Sequence, residues 1–248
     1  MSNRIAPKLL AEFIGTFAFV FIGAGAAAVV GDGVGLPGVV AIAFAHGLTI
    51  MVFAFAYGSV SGAHMNPAVT VGVLAAGAMR PGEAAGYIVS QLVGGIAGAL
   101  FLSTVLGGIG TGLGTPALAH NLALGATTLT ITPAQGFMIE AVLAFFLVTV
   151  VLSTAVAGRA GSFAPLAIGM TLTLNIIMGG ALTGAAFNPA RALGPMIVTG
   201  NFTDVWLYMA APIVGAIVAA IMHTGLVRLA QERMAAAERD RAARTPAE

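Results

Sequence analysis

The 248-residue sequence contains no cysteine, which excludes a disulfide framework, a thiol nucleophile and a thiolate metal site. Charge is nearly as scarce. Asp, Glu, Lys and Arg make up 8% of the residues, against about 25% in soluble domains. The formal net charge is +1 and the one basic run is a short tail, so the basic face that a nucleic-acid partner requires is missing. Neither Gly-x-Ser-x-Gly nor His-Glu-x-x-His occurs, which leaves an intramembrane enzyme without a motif to stand on. What remains is hydrocarbon: 58% of the residues are hydrophobic and the mean hydropathy is +1.00. That composition is an integral membrane protein's, and its 34 glycines suit helices that pack closely in lipid.

A span takes about 20 apolar residues. Six stretches qualify, at 9–30, 39–57, 84–106, 134–157, 163–182 and 204–229. The N-terminal stretch has the basic start of a signal peptide. Its apolar run exceeds the ~7–15 residues of a signal core, however, and reads as a retained first span. Two further segments, "GSVSGAHMNPAVTVGVLAAGAMRPGE" and "TGAAFNPARALGPMIVTGNFTD", are too apolar for ordinary loops and too broken for whole spans. With the N-terminus in the cytoplasm, Arg4, Lys8, Arg80, Arg159, Arg228, Arg233, Arg239, Arg241 and Arg244 all lie inside, whereas 31–38 and 107–132 contain no Lys or Arg. This is the positive-inside pattern with both termini cytoplasmic. The simple architecture, without a targeting segment, points to the cell (plasma or inner) membrane. Arg191 alone falls on the outer side.

The two halves repeat. "AEFIGTFAFVF" (11–21) and "IEAVLAFFLVT" (139–149) each carry one acid near the start of a span, Glu12 and Glu140, and "GAHMNPAVT" answers "GAAFNPARA". Three spans per half is an odd number, so the second copy enters the membrane inverted, and interrupted segments at matching positions of such halves point to a permeation site. The chain divides into a first repeat at 1–110, an outer connecting loop at 111–133, a second repeat at 134–229 and a charged cytoplasmic tail at 230–248, read as a helix that frays. The expected fold is all-α and transmembrane: six spanning helices plus two re-entrant half-helices.

Proline presets φ and lacks an N–H, so it suits a helix's first turn, and the preceding Asn can cap that helix. Asn66-Pro67-Ala68 and Asn188-Pro189-Ala190 therefore predict short helices over 67–77 and 189–198. Inserted from opposite sides, their N-termini meet near the midplane, each with about half a positive charge. The glycine-rich lead-ins are expected to run extended with carbonyls turned into a pore. Both asparagines then offer an amide donor to a water at the meeting point; the competing reading makes them caps and nothing more. Arg191, on the first turn of the second half-helix, supplies a fixed charge and five donors to the cavity. Its alternative is an arginine that snorkels to the interface.

These residues resemble the aquaporin, or major intrinsic protein, family. The likeness covers about residues 5–228 and is carried by the two "NPA" boxes, "AEFIGTF", "SGAHMNPAVT" and "NPARALGP". It implies a passive channel for water and small neutral solutes, set in the lipid bilayer as a homotetramer with one pore per subunit and no metal or organic cofactor. The family's constriction maps by spacing onto His46, Ile176, Ala185 and Arg191. Strict water channels place Phe, His and Cys or Thr before the arginine. Here the imidazole has moved to the second span, a set similar to the tonoplast intrinsic branch, as is "GSFAPLAIGMTLTLNIIMGGALTGAAFNPA". That implies a wider, polar ring that passes ammonia beside water. His120 matches a pore-facing loop histidine of ammonia-conducting members.

Ala192 after the arginine, where glycerol channels tend to carry Asp, and Tyr208 in the sixth span favour water over glycerol. The resemblance makes Glu12 and Glu140 buried acceptors for the loop N–H groups, against a proton-relay pair as the rival, and His64 a pore-lining residue, against helix packing. His46 has a buried core histidine as its bland alternative. Gln91 and Asn175 are expected to make interhelical hydrogen bonds without a channel role. A glycerol or small-solute facilitator of the same family is the alternative function. An ion-coupled secondary transporter, which also uses inverted repeats, is the rival from another class.

Overall fold

The computed structural model describes residues 5–31 and 35–244; Arg4, counted above among the inner charges, and the last four residues of the tail lie outside them. Among the described residues six helices are long and apolar enough to cross a membrane. Two short helices lie between them. In chain order the helices are α1 (Ile5–Val30), α2 (Gly35–Ser61), the short α3 (Pro67–Ala75), α4 (Pro81–Val105), α5 (Pro133–Val156), α6 (Ala164–Thr183), the short α7 (Pro189–Thr199) and α8 (Val205–Arg244). Proline opens α3, α4, α5 and α7 at the first turn, where its missing N–H costs nothing. A capping box between Thr132 and Gln135 closes the start of α5.

The differences from the sequence reading have local causes. The first half-helix stops at Ala75 rather than 77, because the backbone turns over and Gly77 takes φ +75°. The sixth span does end where the apolar run does, at Val227 against the expected 229. The tail helix expected beyond it continues α8 unbroken to Arg244, since 226–244 contains neither glycine nor proline to stop it. The 111–133 connection is more than a loop. It holds a hairpin, β1 (Leu122–Leu124) with β2 (Thr127–Leu129), turned at Gly125, and Ala119 N–H ties it to the Leu182 carbonyl at the end of α6 (2.8 Å).

Packing follows the repeat. α1 lies along α4 and α5 along α8, while α2 and α6 pack along each other. Each half-helix crosses over: α3 lies against α8 and α7 against α4, the third span of the opposite repeat in each case. Two glycine pairs make the crossings possible. A Cβ at Gly95 would fall 2.6 Å from the Ala190 carbonyl oxygen and one at Gly194 2.5 Å from that of Gly95, so α4 and α7 touch backbone to backbone. Gly47 and Gly169 do the same for α2 and α6. Such small-residue contacts are how helices associate in lipid. The molecule is apolar outside, with Val52, Phe55, Leu100, Phe101, Phe146, Leu174 and Ile221 exposed. Its buried polar groups, among them Glu12, His46, Asn66, Gln91, Glu140, Asn188 and Arg191, cluster inside. Hydrocarbon as the surrounding solvent requires that arrangement.

Candidate functional site

The tips of α3 and α7 meet inside the bundle. Asn66 Oδ1 accepts from Ala68 N–H (2.8 Å), and Asn188 Oδ1 accepts from Ala190 N–H (3.0 Å) and Arg191 N–H (3.2 Å). Both asparagines are therefore N-caps, and the cap aims each amide nitrogen at the other half. Asn66 Nδ2 donates to the Phe187 carbonyl (3.0 Å) and Asn188 Nδ2 to the Met65 carbonyl (2.9 Å). These reciprocal bonds lock the two helix N-termini together. One of the two hydrogens on each amide suffices for this bond, which leaves the second.

The lead-ins to the caps are not simply extended, as the sequence suggested. Gly62, Ala63 and Met65 have φ of 87°, 50° and 49°, and Gly184, Ala185 and Phe187 have 77°, 41° and 27°. Left-handed backbone at a residue with a Cβ costs of order 1–3 kcal/mol and persists only where the surroundings enforce it. The enforcing groups are the two acids. Glu12 is fully buried and accepts from Ser61 Oγ (2.7 Å), His64 N–H (2.9 Å), Met65 N–H (2.7 Å) and Gln91 Nε2 (2.7 Å). Glu140, equally buried, accepts from Thr183 Oγ1 (2.6 Å), Ala186 N–H (3.0 Å) and Phe187 N–H (2.5 Å).

Two tyrosines complete the frame. Tyr87 OH donates to the Ser61 carbonyl and Tyr208 OH to the Thr183 carbonyl, each at 2.8 Å. Tyr208 thus clamps the end of α6, a task its place in the sixth span did not reveal. Ser61 and Thr183, the hydroxyl residues just ahead of the box glycines, and Tyr87 went unnoticed in the sequence; their signal was their matching positions in the two repeats. Gln91 is interhelical, as expected, but it also braces the lead-in to Asn66: beside its bond to Glu12, its Nε2 donates to Thr70 Oγ1 (2.9 Å), which lies 3.1 Å from His64 Nδ1. Asn175 Nδ2 donates to the Leu143 carbonyl on α5 (2.8 Å). Removing either tyrosine hydroxyl leaves a buried carbonyl unpaired, at about 1–3 kcal/mol. Tyr87→Phe and Tyr208→Phe are therefore expected to lower the thermal midpoint in detergent while leaving solute selectivity unchanged.

Asn66, Asn188 and His64 border one narrow cavity of about 20 Å³, walled otherwise by apolar side chains such as Ile50, Val69, Leu147 and Leu172. It has room for about one or two waters. Beyond the asparagines, Ile176 and Ala185 are buried in one cluster with Phe19 and Ala43, and the His46 ring stands edge-on to Phe19. His46 Nδ1 lies 2.9 Å from the Ile42 carbonyl, so Nδ1 carries the proton. His46 Nε2 and Arg191 Nε and Nη1 are buried without a protein partner, and Arg191 lies within electrostatic reach of both His46 and Glu140. Arg191 forms no ion pair; among the described residues that role belongs to Lys8 and Glu83 (2.6 Å). His120 is exposed on the 111–133 connection and makes no hydrogen bond or ring contact among the described residues. The structure does not join it to the His46–Arg191 group. No cluster of metal-ligating side chains occurs among the described residues.

The family model for the major intrinsic proteins matches residues 2–223. Aquaporin NIP1-2 of Oryza sativa subsp. japonica is 40% identical over 213 residues, 84% of this chain and 68% of that protein. Aquaporin TIP4-1 of Arabidopsis thaliana is 39% identical over 224 residues, 88% and 85% of the two chains. In fold, the aquaglyceroporin from Plasmodium falciparum superposes with a TM-score of 0.74 at 24% identity, covering 90% of this chain and 97% of that one. The paired, capped half-helices and the match along almost the whole chain lead to one conclusion: this multi-pass membrane protein belongs to the major intrinsic protein family of channels, the aquaporins.

Proposed function

We propose that the protein is a passive channel for water and ammonia that excludes ions and protons. One observation carries this reading: Asn66, Asn188 and His64 border a single cavity of about 20 Å³, at the point where two helix N-termini meet. A water there accepts from the spare amide hydrogens through its oxygen. Its own protons then point away along the file, so no proton wire runs through the centre, and the two positive helix ends oppose cations. His46, Ile176, Ala185 and Arg191 form the selecting ring. With Nδ1–H bonded to Ile42, His46 offers Nε2 as an acceptor, and Arg191 offers free donors beside it.

Both termini face the cytoplasm in this reading, which rests on the loop charges, and the setting is the cell membrane. The subunits assemble as a homotetramer. An apolar groove of about 630 Å³ between α5 and α6, lined by Met138, Val142, Phe146, Leu174 and Met178, offers a face for a neighbouring subunit. In this reading Glu12 and Glu140 hold the loops rather than relay protons.

Stopped-flow measurements on proteoliposomes test the proposal directly. Water and ammonia fluxes are expected to be rapid, independent of any sodium or proton gradient, and larger than that of glycerol. The double variant His46→Phe/Ile176→His, which moves the imidazole to the fifth span, is expected to lower ammonia flux relative to water. Flux that requires an ion gradient, or an ammonia-to-water ratio identical in the two proteins, would reject the reading.

A further inference from the structure

The first span is not a plain α-helix. Phe19–Ala24 forms a π-helical stretch, and single π-turns inside helices frequently accompany functional sites. This one lies against His46. The Phe19 and His46 rings meet edge to face, with centroids 5.3 Å apart and planes at 81°. On the same helix, a Cβ added to Gly23 would fall 2.5 Å from His46 Cδ2 and 2.8 Å from Cγ and Nε2. Real Cβ atoms do not come so close, so only glycine leaves this space to the imidazole. The Ile42 carbonyl fixes the ring through Nδ1, and Nε2 is left as the ring's one nitrogen without a protein partner. The stretch is itself braced from the other side: Gly114, with φ +65°, sits so tightly against the Ala24 carbonyl that a side chain there would strike it.

We infer that the π-stretch of α1 is a seat for His46 and that Gly23 is a positioning residue that sets the channel's solute selectivity. By letting the imidazole lie back against α1, Gly23 decides how far Nε2 projects toward the donors of Arg191. The spacing between that acceptor and those donors then selects among small neutral hydrogen-bonding solutes. The inference rests on the reading that His46 borders the solute path. It adds a residue whose own side chain is absent and which no inventory of lining side chains would find.

The test is Gly23→Ala, made in the native chain and in a His46→Ala background, with water and ammonia fluxes measured per molecule in proteoliposomes. A ring forced off its rotamer or its seat is expected to lower water flux about 3- to 10-fold, and ammonia flux further. In the His46→Ala background the same methyl meets no ring, and the change is expected to stay within about twofold. Gly25→Ala is the control for added bulk in this helix: its Cβ would come 3.2 Å from a Leu102 methyl, not His46, and its fluxes are expected to stay native. Native fluxes in Gly23→Ala, or an equal loss in both backgrounds or in Gly25→Ala, would overturn the inference. Should Gly23→Ala fail to insert, recovery in Gly23→Ala/His46→Ala supports the seat, and continued failure counts against it. A native protein that passes neither solute defeats the channel reading, and the inference with it. That result is distinct from native fluxes that Gly23→Ala leaves unaltered.

Discussion

Replacing Glu140 by glutamine is expected to cut water flux per molecule at least tenfold and to lower the thermal midpoint, although the side chain keeps its size. The native carboxylate faces three donors and no acceptors: Thr183 Oγ1 and Ala186 N–H at Oε1, and Phe187 N–H at Oε2. A carboxamide has one oxygen. Whichever way it is turned, its NH₂ is pressed against the N–H of Ala186 or of Phe187, and that backbone donor is left buried and unpaired. A lost hydrogen bond to a charged group costs about 1.5–3 kcal/mol, equivalent to about 10- to 150-fold. The loss falls on backbone held against its own preference, because Ala185 and Phe187 are left-handed without being glycine. If the loop relaxes, the Phe187 carbonyl moves, and with it the acceptor that anchors Asn66. Glu12→Gln acts on the Met65 carbonyl and Asn188 by the same route. Near-native flux with an unshifted midpoint in either variant would show that the acids are not what holds the half-helices in place.

Elements set by local chemistry were open to reading from the sequence, and those set by distant partners were not. Asn before Pro reads as a cap because both residues act on their own helix turn, and the structure places Asn66 and Asn188 in that conformation. Span lengths follow from hydropathy, and the six helices fall where the apolar runs do. The lone intramembrane arginine was visible as a charge that topology could not explain, and it proves buried with two unpartnered nitrogens. By contrast, no local propensity favours left-handed Ala63, Met65, Ala185 or Phe187. Their conformation is imposed by carboxylates some fifty residues upstream. Gln91 looked like a generic interhelical amide, because its task depends on α4 lying beside both α1 and α3. The π-stretch at Phe19–Ala24 carries no sequence mark, since its residues are those of an ordinary apolar helix. The hairpin in the 111–133 connection has its signal, a glycine turn within "LALGATTLT", but strands of three residues each are too short for alternation to mark them.

Arg191→Val is expected to open the channel to cations and to larger neutral solutes while water flux stays within a few-fold of native. The guanidinium sits on the first turn of α7, its backbone N–H already committed to the Asn188 cap and its Nε and Nη1 free of protein partners. Its charge is therefore not neutralised by a contact; Glu140 acts on it only at a distance and is occupied by the loop. A unit charge 4 Å from a passing cation raises that cation's energy by about 4 kcal/mol at an effective dielectric constant of about 20, equivalent to roughly a thousandfold in rate. Valine removes that barrier and also the bulk of the fork. The half-charges at the tips of α3 and α7 remain, so exclusion weakens without vanishing, and conductance rises from background to a measurable leak. Arg191→Lys separates the two contributions. It keeps the charge but loses the planar pair of donors, so cations stay excluded while the preference among neutral solutes shifts. If Arg191→Val leaves both glycerol uptake and cation conductance at native levels, the positive charge and the free donors of Arg191 play no part in selection, and the barrier lies with the opposed helix ends alone.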